Sequence, residues 1–519
     1  MKNFKHIIAG FALLGLGACS DFLDEVPDNR VEIDNVDKVG QLVTNAYNTS
    51  AYLFTDWMSD NAAPVEGIIP LRIAIDAYKW EPVDGTNQDT PEYFWSGAYQ
   101  AISHANEAIY RLNELPNTLE NVEKKGAYRG EALLSRAYHH FTLVSLFSKV
   151  YNEATASTDL GIPYVDEPER QLVKTYKRGT VQEVYDKIEK DMLEGIDLLN
   201  EEFYSGAGKY HFSKEAAYAF ASRFYLFKKD YANTVKYADM VLKADPSDKI
   251  RDMIHLMDVQ NGNLERLFNS PDEEANLLLV HKYTIMQRSS RQGYGLSASL
   301  DRRIFAGGSP TGGSDIRGEY RYSLNSGAGI RYPKFDEVFE KENLASETGL
   351  PAVTQTVLKG EEALFNRMEA TWHLYLASGA TKADRDKNLL NRIFSDFNAY
   401  IPRRYTGAGT MNEAWLDTEA EELAIRILTA EEYNKLTDEQ KAQTKETYEP
   451  IVLIGDILNE KRKEFVHEGM RWWDIIRNDI QVTHVDQAGT VYELPADDPK
   501  RVIQIPESAL DFGLMPNPR

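Results

Sequence analysis

Carboxylates and guanidiniums interleave late in the chain, through Glu460, Arg462, Glu464, Glu468, Arg471, Asp474 and Arg477. On a helix Glu464 and Glu468 share a face at i, i+4, a pairing that looks catalytic at first. Arg471 and neighbouring basic groups neutralise such like charges more simply, so a structural role is expected. The run His467-Glu468-Gly469-Met470-Arg471 is not the zinc pattern His-Glu-x-x-His, because the second His is missing. His139 and His140 are adjacent, so they point to different helix faces and cannot chelate as a pair. Gly293-Tyr294-Gly295 is too short for a phosphate loop, and no Gly-x-Ser-x-Gly elbow occurs. A glycosidase needs two carboxylates facing one cleft, and among 81 acidic residues no such pair can be located from sequence. The expectation is a chain with no catalytic residue, no metal and no cofactor.

Recognition chemistry is better represented. Sugar binding needs flat aromatic faces for C–H stacking, with planar amides, carboxylates or Arg to bridge hydroxyls. Two loop-like regions offer both, residues 52–95 and 283–332. In the first, Trp57 and Trp80 lie among turn residues and are candidate ligand contacts, whereas Tyr93 and Trp95 begin a helix and belong to the core. In the second, the candidates are Tyr283, Arg288, Arg291, Tyr294 and Tyr320. The arginines between 288 and 331 could favour an acidic glycan or a carboxylate-bearing peptide; salt bridging to an acidic body is the simpler reading.

The only cysteine, Cys19, ends a short apolar N-terminus. Lys2 and Lys5 precede the run Ile7–Ala18, which is a dozen residues, well short of the ~20 that span a bilayer. Charge, apolar core and small residues before the cysteine make a secretory signal, and Leu16-Gly17-Ala18-Cys19 reads as a bacterial lipobox. Residues 1–18 are then a signal peptide, lipid is carried on Cys19, and the acidic stretch 19–35 is a tether. The net charge of −23 argues against nucleic acid and against a wide grip on anionic lipid, leaving the lipid as the membrane attachment.

The elements that must position these residues are helical. Apolar residues recur at helical spacing over 36–52, 92–115 and 127–147. Thr180 with Glu183 forms a capping box for 181–200. Ser213 caps a helix rich in alanine, Lys229-Asp230 turns the chain, and a second helix follows from Tyr231. The pair resembles a tetratricopeptide hairpin, whose repeat is ~34 residues; a similar pair spans 361–378 and 388–397. Leu277–Val280 is a possible strand, 280–335 a long glycine-punctuated loop, and 402–450 irregular, closing on a charged helix near 430–447. A final helix is expected over 455–478. The fold class is therefore mostly α: about four tetratricopeptide-like hairpins stacked as a superhelix, with long irregular loops and little β.

Cys19-Ser20-Asp21-Phe22-Leu23-Asp24 followed by Pro27 resembles the mature N-terminus of the SusD/RagB family, outer-membrane nutrient-binding lipoproteins of Bacteroidetes. Gly130-Glu131-Ala132-Leu133-Leu134-Ser135-Arg136-Ala137 is similar to the family's Gly-Glu-Ala-x-Phe-Leu-Arg-Ala. Glu460, Arg462, Glu464, Glu468, Gly469, Arg471, Asp474 and Arg477 follow its late Glu, Arg, Glu, Glu-Gly-x-Arg, Asp-x-x-Arg pattern, and Ile503–Pro506 its closing Ile-Pro segment. Asp315-Ile316-Arg317 matches a recurrent Asp-x-Arg, whose Arg317 is expected to brace a loop. The resemblance implies a single domain over 36–519 and a non-catalytic, surface-exposed lipoprotein of the outer membrane. It implies an oligosaccharide ligand, contacted from the loops around the residues named above, and a SusC-like TonB-dependent barrel as partner. A peptide ligand and a scaffold that binds only protein are the alternatives.

Overall fold

The structure, a computed structural model, describes residues 33–519 except 172–173, 205, 207, 260–262, 306–307, 325–326, 342 and 344. Cys19, the signal segment and most of the tether lie outside the described residues.

The scaffold is built from helices α1 (Val36–Val43), α2 (Pro91–Glu114), α3 (Val122–Phe147), α4 (Val181–Leu198), α5 (Lys214–Lys228), α6 (Tyr231–Leu242), α7 (Gly360–Ala377), α8 (Lys387–Tyr400), α9 (Glu413–Leu428), α10 (Asp438–Glu464) and α11 (Arg471–Arg477). α2 starts on Pro91 at its first turn, with the Thr90 hydroxyl accepting from Tyr93 N, and buries the stripe Phe94, Ala98, Ile102, Ala105 and Ile109. α4 opens on the expected capping box: Thr180 Oγ1 accepts from Glu183 N at 3.1 Å and Glu183 Oε2 accepts from Thr180 N at 2.8 Å. α3 and α4 approach through glycine. A Cβ on Gly195 would lie 2.9 Å from the Gly130 carbonyl oxygen and 2.7 Å from Leu134 Cγ. The α5–α6 hairpin turns on Lys229, left-handed at φ 62, and Asp230 caps α6 by accepting from Asn233 N.

α5 packs on α6, α6 on α7, and α7 on α8 and α10, so the two hairpins read from sequence stack in series. The main apolar core runs from Ala51 to Leu514. A second cluster lies under residues 253–332 and takes in Val466, and a third joins α1 to α2 and α3. Among the described residues no helix is long and apolar enough to cross a membrane.

Three elements differ from expectation. The strand expected at 277–280 is the centre of Asn276–Tyr283, paired antiparallel with Gly349–Lys359 from Asn276↔Lys359 to Tyr283↔Ala352, with Val338–Lys341 on the outer edge. The partner strand carries Pro351 and sits beside a helix, which hides its alternation. The region 402–450 holds α9 and the first half of α10. α10 runs through Pro450, whose missing N–H breaks only one helical hydrogen bond, and Trp372 Nε1 donates to the Pro450 carbonyl at 2.9 Å. The expected helix 455–478 is instead broken in two, because His467 and Gly469 are left-handed at φ 67 and 74.

Candidate ligand-binding groove

The two loop regions singled out by sequence do meet. Ala63 pairs with Gly295 and Pro64 with Tyr294, while Val65 N donates to Gly293 O at 3.0 Å and Leu71 N to Gln292 O at 3.2 Å. Their aromatic rings, however, face inward. Tyr294 stacks on Tyr78 at 4.1 Å, Tyr78 on His484 at 3.9 Å and His484 on Trp80 at 4.5 Å, forming a buried four-ring column. Trp80 Nε1 donates to the Met58 carbonyl at 2.8 Å. Trp57 is 0% exposed. Neither tryptophan presents a face to a ligand; both hold the loops together, since a large ring is worth most fully buried. Tyr320 is likewise buried, edge-on to Tyr332. Tyr283 is half-buried on the sheet, its N–H donating to Thr49 O at 2.8 Å. Of the seven candidates, only Arg288 and Arg291 reach the surface well, and Arg288 is held by Glu337 at 2.8 Å. What the junction shows to solvent is Ile69, Leu71, Arg72 and Arg291.

Three further arginines of this region are bound to carboxylates, as the simpler reading expects. Arg331 meets Glu265 at 2.9 Å and Arg321 meets Asp301. Arg317 grips Asp315 through Nε and Nη2, both at 2.9 Å, and touches Tyr405 Oη at 2.8 Å and Glu460 at 3.4 Å, which braces its loop against α10. The late carboxylates sit in the same buried lattice. Lys334 and Lys359 clamp Glu468 at 2.7 and 2.5 Å. Burial would raise the Glu468 carboxyl, but Lys334 and Lys359 outweigh it and hold it below its usual value. These acids balance buried cations rather than face a cleft.

The open aromatic surface lies elsewhere. A groove of about 430 Å³ runs between α2, residues 163–176 and the C-terminal segment 508–514. Half-buried Tyr99 of α2 forms its floor over Trp95, a core residue as expected from sequence, with ring centroids 4.9 Å apart, and Trp95 packs edge-on against Phe147 at 4.9 Å. The Tyr99 hydroxyl donates to the Pro163 carbonyl at 2.8 Å, fixing the second wall. Asn106 Nδ2 reaches the Val165 carbonyl at 3.0 Å, and its Oδ1 accepts from Arg136, which Asp191 holds at 2.6 Å. Thus Arg136, within the Gly-Glu-Ala segment, positions the groove wall from beneath. The third wall is tied by Arg178, which donates to Met515 O at 2.9 Å and Asn517 Oδ1 at 2.7 Å. Tyr176 and the 67%-exposed Phe512 stand at the rim, with Glu167, Glu169, Gln171 and Lys174 beside them. The Lys174 ammonium sits 5.0 Å over the Tyr176 ring, and the Tyr176 hydroxyl donates to Glu169. Burial, then Glu169, pushes that phenol up, so it stays a neutral donor. Open rings beside carboxylates and an amide make a surface that can stack on a sugar ring and bridge its hydroxyls.

A family model described as starch-binding, associating with the outer membrane, matches residues 21–226. The SusD-like protein P38 of Formosa agariphila is 22% identical, with 93% of each chain covered. Among solved structures, a putative sugar binding protein from Bacteroides vulgatus aligns at TM-score 0.65 and 17% identity, covering 93% of this chain and 97% of that one. A SusD superfamily protein from Bacteroides thetaiotaomicron aligns at 0.64 and 18%, over 93% and 100%. The chain is thus similar to SusD-like proteins over nearly its whole length, and its first part matches the starch-binding family model. The mostly helical fold with little strand is the one that these solved structures share.

Sequence reasoning missed Tyr176 and Phe512. They lie in segments without periodicity, the second in a Pro- and Gly-bearing tail. The buried Arg178, which donates to the Gly161 and Met515 carbonyls, joins their two segments, but nothing in the sequence marks it as buried.

Proposed function

We propose that this chain is a SusD/RagB-type, non-catalytic glycan receptor of the outer membrane. It is anchored through lipid on Cys19, folds as a single helical-repeat domain over 36–519, and passes captured oligosaccharide to a SusC-like TonB-dependent barrel. The ligand lies in the groove of Trp95, Tyr99, Tyr176 and Phe512, and no bond is made or broken. The observation that carries this reading is the open aromatic groove flanked by Glu167, Glu169 and Gln171, in a chain whose family model is described as starch-binding. Arg288 and Arg291 are proposed as secondary contacts from the loop junction; Trp57, Trp80, Tyr294 and Tyr320 act as its frame, and Tyr283 anchors it to the sheet. Delivery needs only capture and release, so affinity is expected to be moderate.

Calorimetry against neutral oligosaccharides and against peptides tests the ligand class. Heat of binding from a glycan supports the proposal, and peptide binding without glycan binding overturns it. Release of reducing ends from a bound glycan would overturn the non-catalytic reading. Purification from membranes with a barrel attached tests the partner, and a Cys19→Ala chain that remains on the cell surface would contradict the lipid anchor.

A further inference from the structure

A small buried cavity of about 10 Å³ sits where three segments cross: the short helix and turn holding Asp56, Trp57 and Asn61, the segment Ser289–Leu296, and the turn Val466–His467. Every one of its lining residues is buried. Three of them carry a buried polar atom with no hydrogen-bond partner: Trp57 Nε1, Asn61 Nδ2 and His467 Nε2. Native folds leave few such groups unmatched, and three around one cavity call for a shared partner.

We infer that one water molecule is bound in this cavity as a fixed part of the fold, joining the loop junction to the turn that follows α10. The size fits, since a space of about this volume holds one water centre. The chemistry selects water over an ion. Trp57 Nε1 can only donate. Asn61 also donates here, because its Oδ1 already accepts from Arg462 Nε at 2.7 Å, which fixes the amide orientation. Two N–H donors repel a metal cation. The buried Asp56 carboxyl, whose Oδ1 accepts from Gly469 N at 3.3 Å, also lines the space, which disfavours an anion. Burial pushes Asp56 up to about 7 and His467 down to about 3, so the imidazole is neutral and offers Nε2 as acceptor or donor by tautomer. Water accepts from the two N–H groups while giving a hydrogen to His467 Nε2. It thereby links the junction to the left-handed His467.

A high-resolution crystal structure of the full chain tests this. The expected result is one density peak, about 2.7–3.2 Å from Trp57 Nε1, Asn61 Nδ2 and His467 Nε2 and refining as water. A dry cavity overturns the inference, as does a peak with the scattering of a metal or a halide. In solution, the Trp57 indole proton, assigned by its disappearance in Trp57→Phe, should show cross-relaxation to a long-lived water, and Asn61→Leu should abolish that signal. Its absence from the wild-type spectrum would equally overturn the site.

Discussion

Replacing Glu464 with Leu should cost far more stability than the change in apolar area suggests. The carboxylate accepts from Arg404 Nε at 2.7 Å, Arg404 Nη2 at 3.1 Å and Tyr400 Oη at 3.0 Å, and lies 3.5 Å from Arg317 Nη1. All four side chains are buried. Burial alone would raise this carboxyl, but Arg404, then Arg317 and Lys334, hold it well below its usual value. Taking it away leaves two guanidiniums underpaired in a dry site, which costs about 3–5 kcal/mol, or roughly 150- to 5000-fold in the folded-to-unfolded ratio. Equilibrium urea unfolding reads this directly. The exposed Glu431–Lys435 pair is the control: at 2.7 Å it has the same separation but its side chains are 82% and 69% exposed, so Glu431→Leu should cost no more than about 0.5 kcal/mol. Glu464→Leu with Arg404→Met should cost less than the sum of the singles, because removing both partners strands less charge. The pH dependence follows from the depressed folded value. The stability Glu464 adds is present above its unfolded value of about 4.3 and is lost as pH falls through the folded one. As pH falls between these two values the wild type should therefore lose stability faster than the variant. A cost under about 1 kcal/mol for Glu464→Leu, or full additivity with Arg404→Met, would refute the view that this lattice is charge-balanced as a unit.

Gly195→Ala should destabilise by about 1–3 kcal/mol, since its Cβ would meet Leu134 and the Gly130 carbonyl at 2.7 and 2.9 Å, whereas Gly126→Ala, in open space on α3, should leave thermal melting unchanged or raised. Burial holds His139 and His467 neutral at about 3, so each imidazole costs stability as pH drops below its unfolded value of about 6.5, against the opposite trend of raised carboxyls such as Asp56; a His139→Gln variant whose unfolding midpoints follow the wild-type pH profile between neutral pH and about 4 would contradict the burial of that ring. Arg178→Met should speed amide exchange across 508–517 without unfolding the helices, because Arg178 ties Met515 and Asn517 to Gly161, leaving the Asn517 bond to the Phe147 carbonyl as the remaining side-chain link to α3.

The helical scaffold was legible because each hairpin carries its own period and caps. Thr180 with Glu183 and Lys229-Asp230 mark ends that local chemistry determines. The break after Glu464 was not legible: the carboxylate pattern continues smoothly, and only the left-handed backbone at His467 and Gly469 divides it. In the sequence the loops containing Trp57, Trp80 and Tyr294 read as two separate ligand-contacting segments, and their pairing through Ala63 and Gly295 was not legible. Their burial could not be read locally, since it is Tyr78 and His484, the latter about 400 residues away, that stack against them. The groove escaped for the same reason. Its walls come from α2, a loop beyond α3 and the chain's end, and nothing in Tyr176 or Phe512 alone separates a rim aromatic from a core one.

The central claim is that the groove holds the glycan. Phe512→Ala with Tyr176→Ala removes two rim rings while leaving the core intact, and should weaken binding of the tightest neutral oligosaccharide by roughly 5- to 150-fold, taking each stacking contact at about 0.5–1.5 kcal/mol. Titration calorimetry of wild type and double variant, with melting temperatures matched, makes the comparison. Loss of affinity at an unchanged melting temperature is the predicted result. Glycan affinity undiminished in the double variant would contradict the assignment and move the ligand to the junction of Ile69, Arg72 and Arg291.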